Sequence, residues 1–415
     1  MPLNYDPNQI PDTYYEGINL QYGRAGGGQL PTPCRGWAFG ESEYNCRFQN
    51  TLLNYEQTRK FNASFILLAH DLWGIDFRDE VSDYVWPGDN GNWTSYDAFL
   101  DQLMSDIELN GMTAGLVWDI WNEPDGSGFW GASQQQWLDL STSSLDSIQI
   151  SGPTLASYPS LTNTWWTNWF SQVRGNNTIP DQYAWHFEGG GDPAIVGPIW
   201  DNCLATYGLP PQITNINEYA ELWEMTPSGY AWYIARFERL RWHGLLGIWN
   251  EPLYDNFANL LTKVNSSGEP ITSYCCATDS NTNYRQAAGW WIYNYYGQIQ
   301  VGDVANTTQS SDGNWDVYAT VPAAGDNIRM LTGSHGNTGV YYLQVSGMTS
   351  VGYPVNGSVK VYFYRFNGTS SIFDPIGAPE NLGFATVEYS DNQVTIGVGV
   401  EDPHYAYAVE FERLG

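Results

Sequence analysis

A chain of 415 residues is longer than one ordinary core supports, so a large domain with a smaller companion is expected. Its formal net charge of −29, with lysine only at Lys60, Lys263 and Lys360, repels phosphate backbones and anionic lipid, which excludes nucleic acid and membrane surfaces as partners. No apolar run is long enough to span a bilayer. Aromatic residues reach 16%, with 20 Trp and 29 Tyr, a supply that suits large cores and sugar-ring stacking alike.

From about residue 17 to residue 300 the pattern alternates strand, loop and amphipathic helix. Strands are predicted over 17–21, 64–69, 115–120, 147–150, 183–186, 213–217 and 245–249. Between them, Phe99, Leu100, Leu103 and Ile107 line one face of a helix that stops before Gly111. Two more helices are predicted over about 228–242 and 284–296. Seven strands are legible where a (β/α)8 barrel needs eight. The first either hides in residues 1–16, against their Pro and Asn content, or was lost from the chain, or is replaced by another segment.

After about residue 300 short alternating strands take over, at 315–320, 340–345, 358–364, 385–389, 393–398 and 407–411. Turn pairs such as Asn356-Gly357 and Asn367-Gly368 separate them. The reading is an α/β chain: a TIM barrel over 1–300 followed by an all-β sandwich over 301–415. The sandwich serves as structural support or, alternatively, as a sugar-binding module.

Two barrel strands end in a glutamate. The apolar run from Gly115 climbs into Asn122, Glu123 and Pro124, and 95 residues after Glu123 a second run, from Gln212, ends in Glu218. Glycosidic cleavage passes through an oxocarbenium-like transition state and needs a proton for the leaving oxygen and a nucleophile on the other face. Glu123 is the predicted acid/base and Glu218 the predicted nucleophile. Asn122 is placed to bind the sugar 2-hydroxyl, and Tyr219, which follows the nucleophile, is expected to contact substrate. The competing structural reading, in which Asn-Glu-Pro only caps a strand and opens a helix, is weakened by the run of Trp118, Asp119, Trp121, Asn122 and Glu123 at one strand end.

A second Trp-Asn-Glu-Pro string occurs at Trp249, Asn250, Glu251 and Pro252. If Glu251 were the acid, Glu218 would sit only one βα unit before it. Trp249 is therefore read as the aromatic platform under the sugar and Glu251 as a substrate-binding loop carboxylate. His186, at a strand end before Glu218, is placed to hydrogen-bond a catalytic carboxylate. His70, Asp71, Trp73 and Arg24 also follow strands and are predicted to line the pocket. The glycines at 26–28 are no phosphate loop, since no Gly-Lys-Ser/Thr follows. His186 and Glu188 make a weak metal pair, and neither a metal nor an organic cofactor is implied.

Cys34 and Cys46 flank a Gly- and aromatic-rich loop and form the best disulfide pair, while Cys203 is open to either Cys275 or Cys276. Seven Asn-x-Ser/Thr sequons, at Asn62, Asn92, Asn176, Asn265, Asn306, Asn356 and Asn367, favour a secretory route and N-glycosylation. Met1, Pro2, Leu3 and Asn4 show no basic and apolar leader, so a signal, if used, has been removed.

These residues resemble the clan A glycoside hydrolases, and within them most closely family 39. The likeness rests on Trp121-Asn122-Glu123-Pro124, the Ser151-Gly152-Pro153 string, His186 on the following strand, and Glu218-Tyr219, with a β-sandwich after the barrel. The resemblance implies retaining, exo-type cleavage of xylosides, iduronides or arabinosides. The sequons and scarce lysines look like a fungal secreted enzyme acting on plant cell-wall side chains. Few basic residues are on offer for a uronide. Neutral pentosides are therefore expected, arabinose side chains of arabinan or arabinoxylan ahead of β-xylosides. A non-hydrolytic sugar-binding protein on the same fold is the alternative of another class.

Overall fold

A computed structural model describes residues 6–28, 30, 34–76, 84–140, 148–244, 257, 259–271, 283–372 and 374–415. After a short helix α1 (Asp12–Gly17) the chain lays down β1 (Tyr22–Ala25), α2 (Glu41–Lys60), β2 (Ser64–Leu68), α3 (Ala69–Trp73), α4 (Thr94–Leu109) and β3 (Leu116–Asp119). The repeat continues through α5 (Gln134–Leu140), β4 (Gln149–Leu155), α6 (Thr164–Asn176), β5 (Gln182–Phe187) and α7 (Pro193–Tyr207). It closes with β6 (Ile213–Tyr219), α8 (Pro227–Leu240) and β7 (His243–Gly244). The strands pair in sequence order and every pairing is parallel.

Helix boundaries follow local chemistry. Asp192 caps α7 through the Ala194 N–H, and Thr226 caps α8 through the Gly229 N–H, each with Pro at the next position. Gly208 and Arg241 end these helices in the left-handed conformation.

The sheet curls. Its two ends, β1 and β7, face each other, with the Tyr22 and His243 rings 5.9 Å apart. Arg24 on β1 crosses the interior to Asp119 on β3 and Glu218 on β6. This is the (β/α)8 barrel architecture, seven of whose strands lie among the described residues. The predicted strand at 245–249 lies outside them, directly after β7.

The first strand corrects the sequence reading. Residues 17–21 are not a strand, because α1 runs to Gly17 and Asn19 turns the chain at φ 52°. The first strand begins at Tyr22 instead.

The C-terminal part follows a two-stranded ribbon of β8 (Leu261–Lys263) and β9 (Tyr284–Gln286) and then α9 (Ala288–Asn294). It contains β10 (Asp303–Val304), β11 (Trp315–Val321), β12 (Asn327–Ser334), β13 (Gly339–Ser346), β14 (Gly357–Phe366), β15 (Glu380–Tyr389), β16 (Gln393–Val400) and β17 (Ala406–Glu412). Six of these form one sheet in the order β10-β11-β12-β17-β14-β15, and β13 pairs with β16 across from it.

Alternation assigns each face. Trp315, Ala319, Ile328, Met330, Tyr407, Val409 and Phe411 fill the sandwich core with Leu343, Ile396 and Val398. Their neighbours Tyr318, Leu331, Ala406 and Ala408 belong to the barrel's core instead. The sandwich therefore presents one sheet face to the barrel, chiefly to α8. Gly333 makes that approach possible, since a Cβ there would lie 2.1 Å from the Ser228 carbonyl oxygen. Near the start of α2, Cys34 and Cys46 are disulfide-bonded, with Cα atoms 5.5 Å apart. Cys203 is a buried free thiol, and Cys275 and Cys276 lie outside the described residues.

Candidate active site

Three strand ends converge on Asp119, the last residue of β3. Its Oδ1 accepts from Thr154 Oγ1 at 2.9 Å, and its Oδ2 from Asn217 Nδ2 at 3.0 Å and Arg24 Nη2 at 3.2 Å. Asp119, Thr154 and Asn217 are fully buried and Arg24 nearly so. An arginine this deep is tolerable only when paired. Its other bonds go to Asn122 Oδ1 at 2.8 Å and, through Nη1, to Glu218 Oε1. Arg24 and Asn122 are thus tied to the carboxylate network.

Glu123 sits one turn beyond β3 at φ 41°, a strained conformation for a residue with a Cβ. It is held there from both sides. Its N–H donates to the Thr154 carbonyl at 2.9 Å, and its own carbonyl accepts from the Gly126 N–H at 2.8 Å. Asp125 clamps the same loop by accepting the Ala156 and Ser157 N–H groups at 2.8 and 3.0 Å.

Glu218 reaches the pocket because β6 is irregular. Two-residue alternation would send Asn217 and Glu218 to opposite faces. The β5–β6 register shifts at this point, Trp185 pairing with Ile216 but His186 with Glu218. Both consecutive side chains therefore turn inward, as bulges allow. His186 lies between the two glutamates, its Nδ1 2.7 Å from Glu123 Oε1 and 3.6 Å from Glu218 Oε2. One donor atom from each of Glu123, His186, Glu188 and Glu218 falls within 4.8 Å of the others. This is the one such gathering of His and carboxyl donors among the described residues. The Arg24 guanidinium, bonded to Glu218, brings a positive charge beside it.

Burial alone would raise the Glu218 pKa, but His186 and the Arg24 guanidinium outweigh it and hold the carboxyl at about 2. Burial would lower the His186 pKa, but the Glu218 and Glu123 carboxyls raise it above its ordinary value. The linkage has a sign. Glu218, depressed, contributes stability that is full above about 4.5 and lost as pH falls towards 2. His186, raised, contributes stability that is full below about 6.5 and lost as pH rises through its folded value. The stability difference between wild type and His186→Gln is therefore expected to be largest between about pH 4.5 and 6.5 and to shrink at higher pH. Melting temperatures of both proteins across pH check this, and a gap that widens above pH 7 contradicts it.

Two predicted pocket residues are corrected. Trp73 is buried in the helical layer, donating through Nε1 to the Val85 carbonyl at 2.8 Å and packing on Tyr96 and Phe99. Tyr219 points opposite to Glu218, into a cluster with Tyr233, Phe237 and the Tyr293 hydroxyl. Both are core residues. His70 is buried against Trp121 and Phe129, with Nε2 3.2 Å from Asp71 Oδ1. Asp71 in turn accepts the Gly28 N–H at 3.3 Å, where a Cβ would lie 2.5 Å from the carboxylate, so that glycine serves close packing. Trp249 and Glu251 lie outside the described residues. The sequence reading gave no role to Asp119, Thr154 or Asn217. A buried-polar signal was available at Asn215 and Asn217, two asparagines at strand spacing in an apolar run.

No protein-family model and no curated protein matches this chain. Solved structures do resemble it. A protein from Neocallimastix frontalis superposes with a TM-score of 0.73 at 19% identity, covering 96% of this chain and 91% of its own. A GH30 endoxylanase from Clostridium papyrosolvens gives 0.57 at 11% identity, over 98% and 92%. A family 51 α-L-arabinofuranosidase from Bifidobacterium longum gives 0.53 at 10% identity, over 96% and 88%. At these identities the likeness establishes the fold: a TIM barrel with a β-rich domain, shared along nearly the whole chain.

Proposed function

We propose that this chain is a secreted, retaining glycoside hydrolase that cleaves pentosides in plant cell-wall polysaccharide side chains. The observation that carries the reading is the carboxyl pair. Donor atoms of Glu123 and Glu218 lie within 4.8 Å of each other, at the ends of β3 and β6 on one rim of the barrel. Retaining enzymes hold their carboxyls about 5–5.5 Å apart, whereas inverting ones leave about 6.5–9.5 Å for a water. In the first step Glu218 attacks the anomeric carbon while Glu123 protonates the departing oxygen. In the second, Glu123 takes a proton from water, which displaces Glu218 and releases the sugar.

The ionisation pattern suits these roles. Glu218 is held as an anion by Arg24 and His186, as a nucleophile requires. Likeness to an endoxylanase and an arabinofuranosidase supports a pentose substrate, and arabinose-containing side chains of arabinan or arabinoxylan, attacked from the chain end, are the assignment made here. Six of the seven sequon asparagines are exposed and Asn367 is half-buried, which agrees with glycosylation on a secretory route. The test is a panel of aryl pentosides with arabinan and xylan oligosaccharides. Phenol release from the arabinoside above the xyloside is expected, with short arabinose products. Faster xyloside turnover would reassign the enzyme as a β-xylosidase, and no release by folded protein would make it a sugar-binding protein.

A further inference from the structure

We propose that Glu188 is a third working carboxyl of this site, an uncharged hydrogen-bond donor to Glu218 that positions the nucleophile. The inference rests on the glycosidase reading. β5 ends at Phe187, and strand alternation turns Glu188 to the same interior side as His186. An oxygen of Glu188 lies within 4.8 Å of an oxygen of each catalytic glutamate, and a hydrogen bond to Glu218 is the contact inferred from that approach. Its Oε1 is cut off from solvent and has no partner among the described residues.

Two carboxyls joined by a hydrogen bond must hold a proton between them. Charge decides which one keeps it. The groups facing Glu188 are Glu218 from β6, Glu123 from the loop after β3, Arg24 from β1 and, on its own strand, His186. Arg24 already pairs with Asp119 and Glu218, and His186 lies between Glu123 and Glu218. An ionised Glu188 would add a second, half-buried anion beside Glu218 without a cation of its own among the described residues. Burial, followed by the Glu218 and Glu123 carboxylates, pushes its pKa well above the usual carboxylate value, against the opposing Arg24 charge. The proton therefore stays on Glu188. Glu218, the better-compensated partner, remains the anion. At high pH Glu188 ionises, the donor is lost, and a negative charge faces the nucleophile.

The experiment compares wild type, Glu188→Gln and Glu188→Ala by kcat and KM across pH on an aryl glycoside, and by infrared difference spectroscopy. Glutamine keeps an N–H donor and cannot ionise. Its activity at the optimum is expected within about tenfold of wild type, and its alkaline limb should move up by about one pH unit or more. Alanine should lose about 100-fold in kcat with KM little changed. The wild-type protein at neutral pH should show a protonated-carboxyl C=O absorption that Glu188→Gln lacks. An unchanged alkaline limb in Glu188→Gln, or an active wild type without that absorption, would overturn the proposal. If wild type shows the absorption but hydrolyses no glycoside, the glycosidase reading falls while the neutral carboxyl stands. Should Glu188→Ala fail to fold, the glutamine variant and the infrared band still decide.

Discussion

Glu218→Ala is expected to abolish turnover, by at least about 10⁴-fold in kcat, since the proposed double displacement then has no nucleophile for its covalent step. The truncation opens a space beside His186 and the Arg24 guanidinium, whose positive charge favours a small anion there. Azide should therefore restore part of the rate and give a product of inverted configuration. Glu123→Ala should behave differently. Removing the general acid costs about 10²–10⁴-fold on glycosides with poor leaving groups, and little where the leaving group needs no proton. Anomeric configuration by NMR and rates on a leaving-group series make the comparison. A lethal Glu251→Ala beside a mild Glu123→Ala would move the acid/base role to the later Trp-Asn-Glu-Pro string.

The two glutamates were legible because each closes an apolar run, and an apolar run that stops at a carboxylate is hard to place anywhere but a barrel rim. The geometry between them was not. It depends on the shifted register at Trp185 and His186 and on a second irregularity in β4 between Pro153 and Leu155, which places Thr154 to hold the Glu123 backbone. Bulges leave no periodic trace, so the sequence could not show that Asn217 and Glu218 both turn inward, nor that Tyr219, expected in the pocket because it follows Glu218, turns away from it. Trp73 misled for a related reason. Its strand turns directly into α3, and helical spacing swings the indole away from the rim to Tyr96 and Phe99.

In the sandwich, six of the eight strands were readable from alternation; the two-residue β10 was not, and neither was β12. Ile328 and Met330 face the sandwich core while Leu331 faces the barrel, so its apolar residues do not alternate with polar ones. A strand buried on both sides loses the period that announces it. The same fact answers what the sandwich does for the barrel: it covers α8 with a complete sheet face rather than hanging from a linker. Glu224 and His335, paired across that seam with His335 stacked 4.3 Å from the Trp232 ring, tie the loop after β6 to the sandwich as well.

Asp316→Ala is expected to cost about 3–5 kcal/mol of stability, because it strands a buried cation at this seam. Asp316 on β11 is fully buried, its Oδ2 2.6 Å from Arg236 Nη1 and 2.9 Å from Arg239 Nη1, both on α8. Arg236 is fully buried too, its guanidinium 4.6 Å from the Trp232 ring, and Asp192 at 3.1 Å is its remaining acidic partner. Burial already pushes the Arg236 pKa down, with Asp316 and then Asp192 opposing it. Without Asp316 that charge keeps Asp192, Gln309 Oε1 and the Gly313 carbonyl, and the apolar contacts of β11 and β12 on α8 must bear the rest of its low-dielectric cost. The pocket should not notice, since among the described residues Asp316 bonds α8 and its own strand. Hydrolysis by the folded variant, well below its melting point, is expected to match wild type, while the denaturant midpoint falls sharply. A loss under about 1 kcal/mol would mean that apolar packing alone joins sandwich to barrel. A fall in kcat at full folding would mean instead that the sandwich shapes the active site through α8.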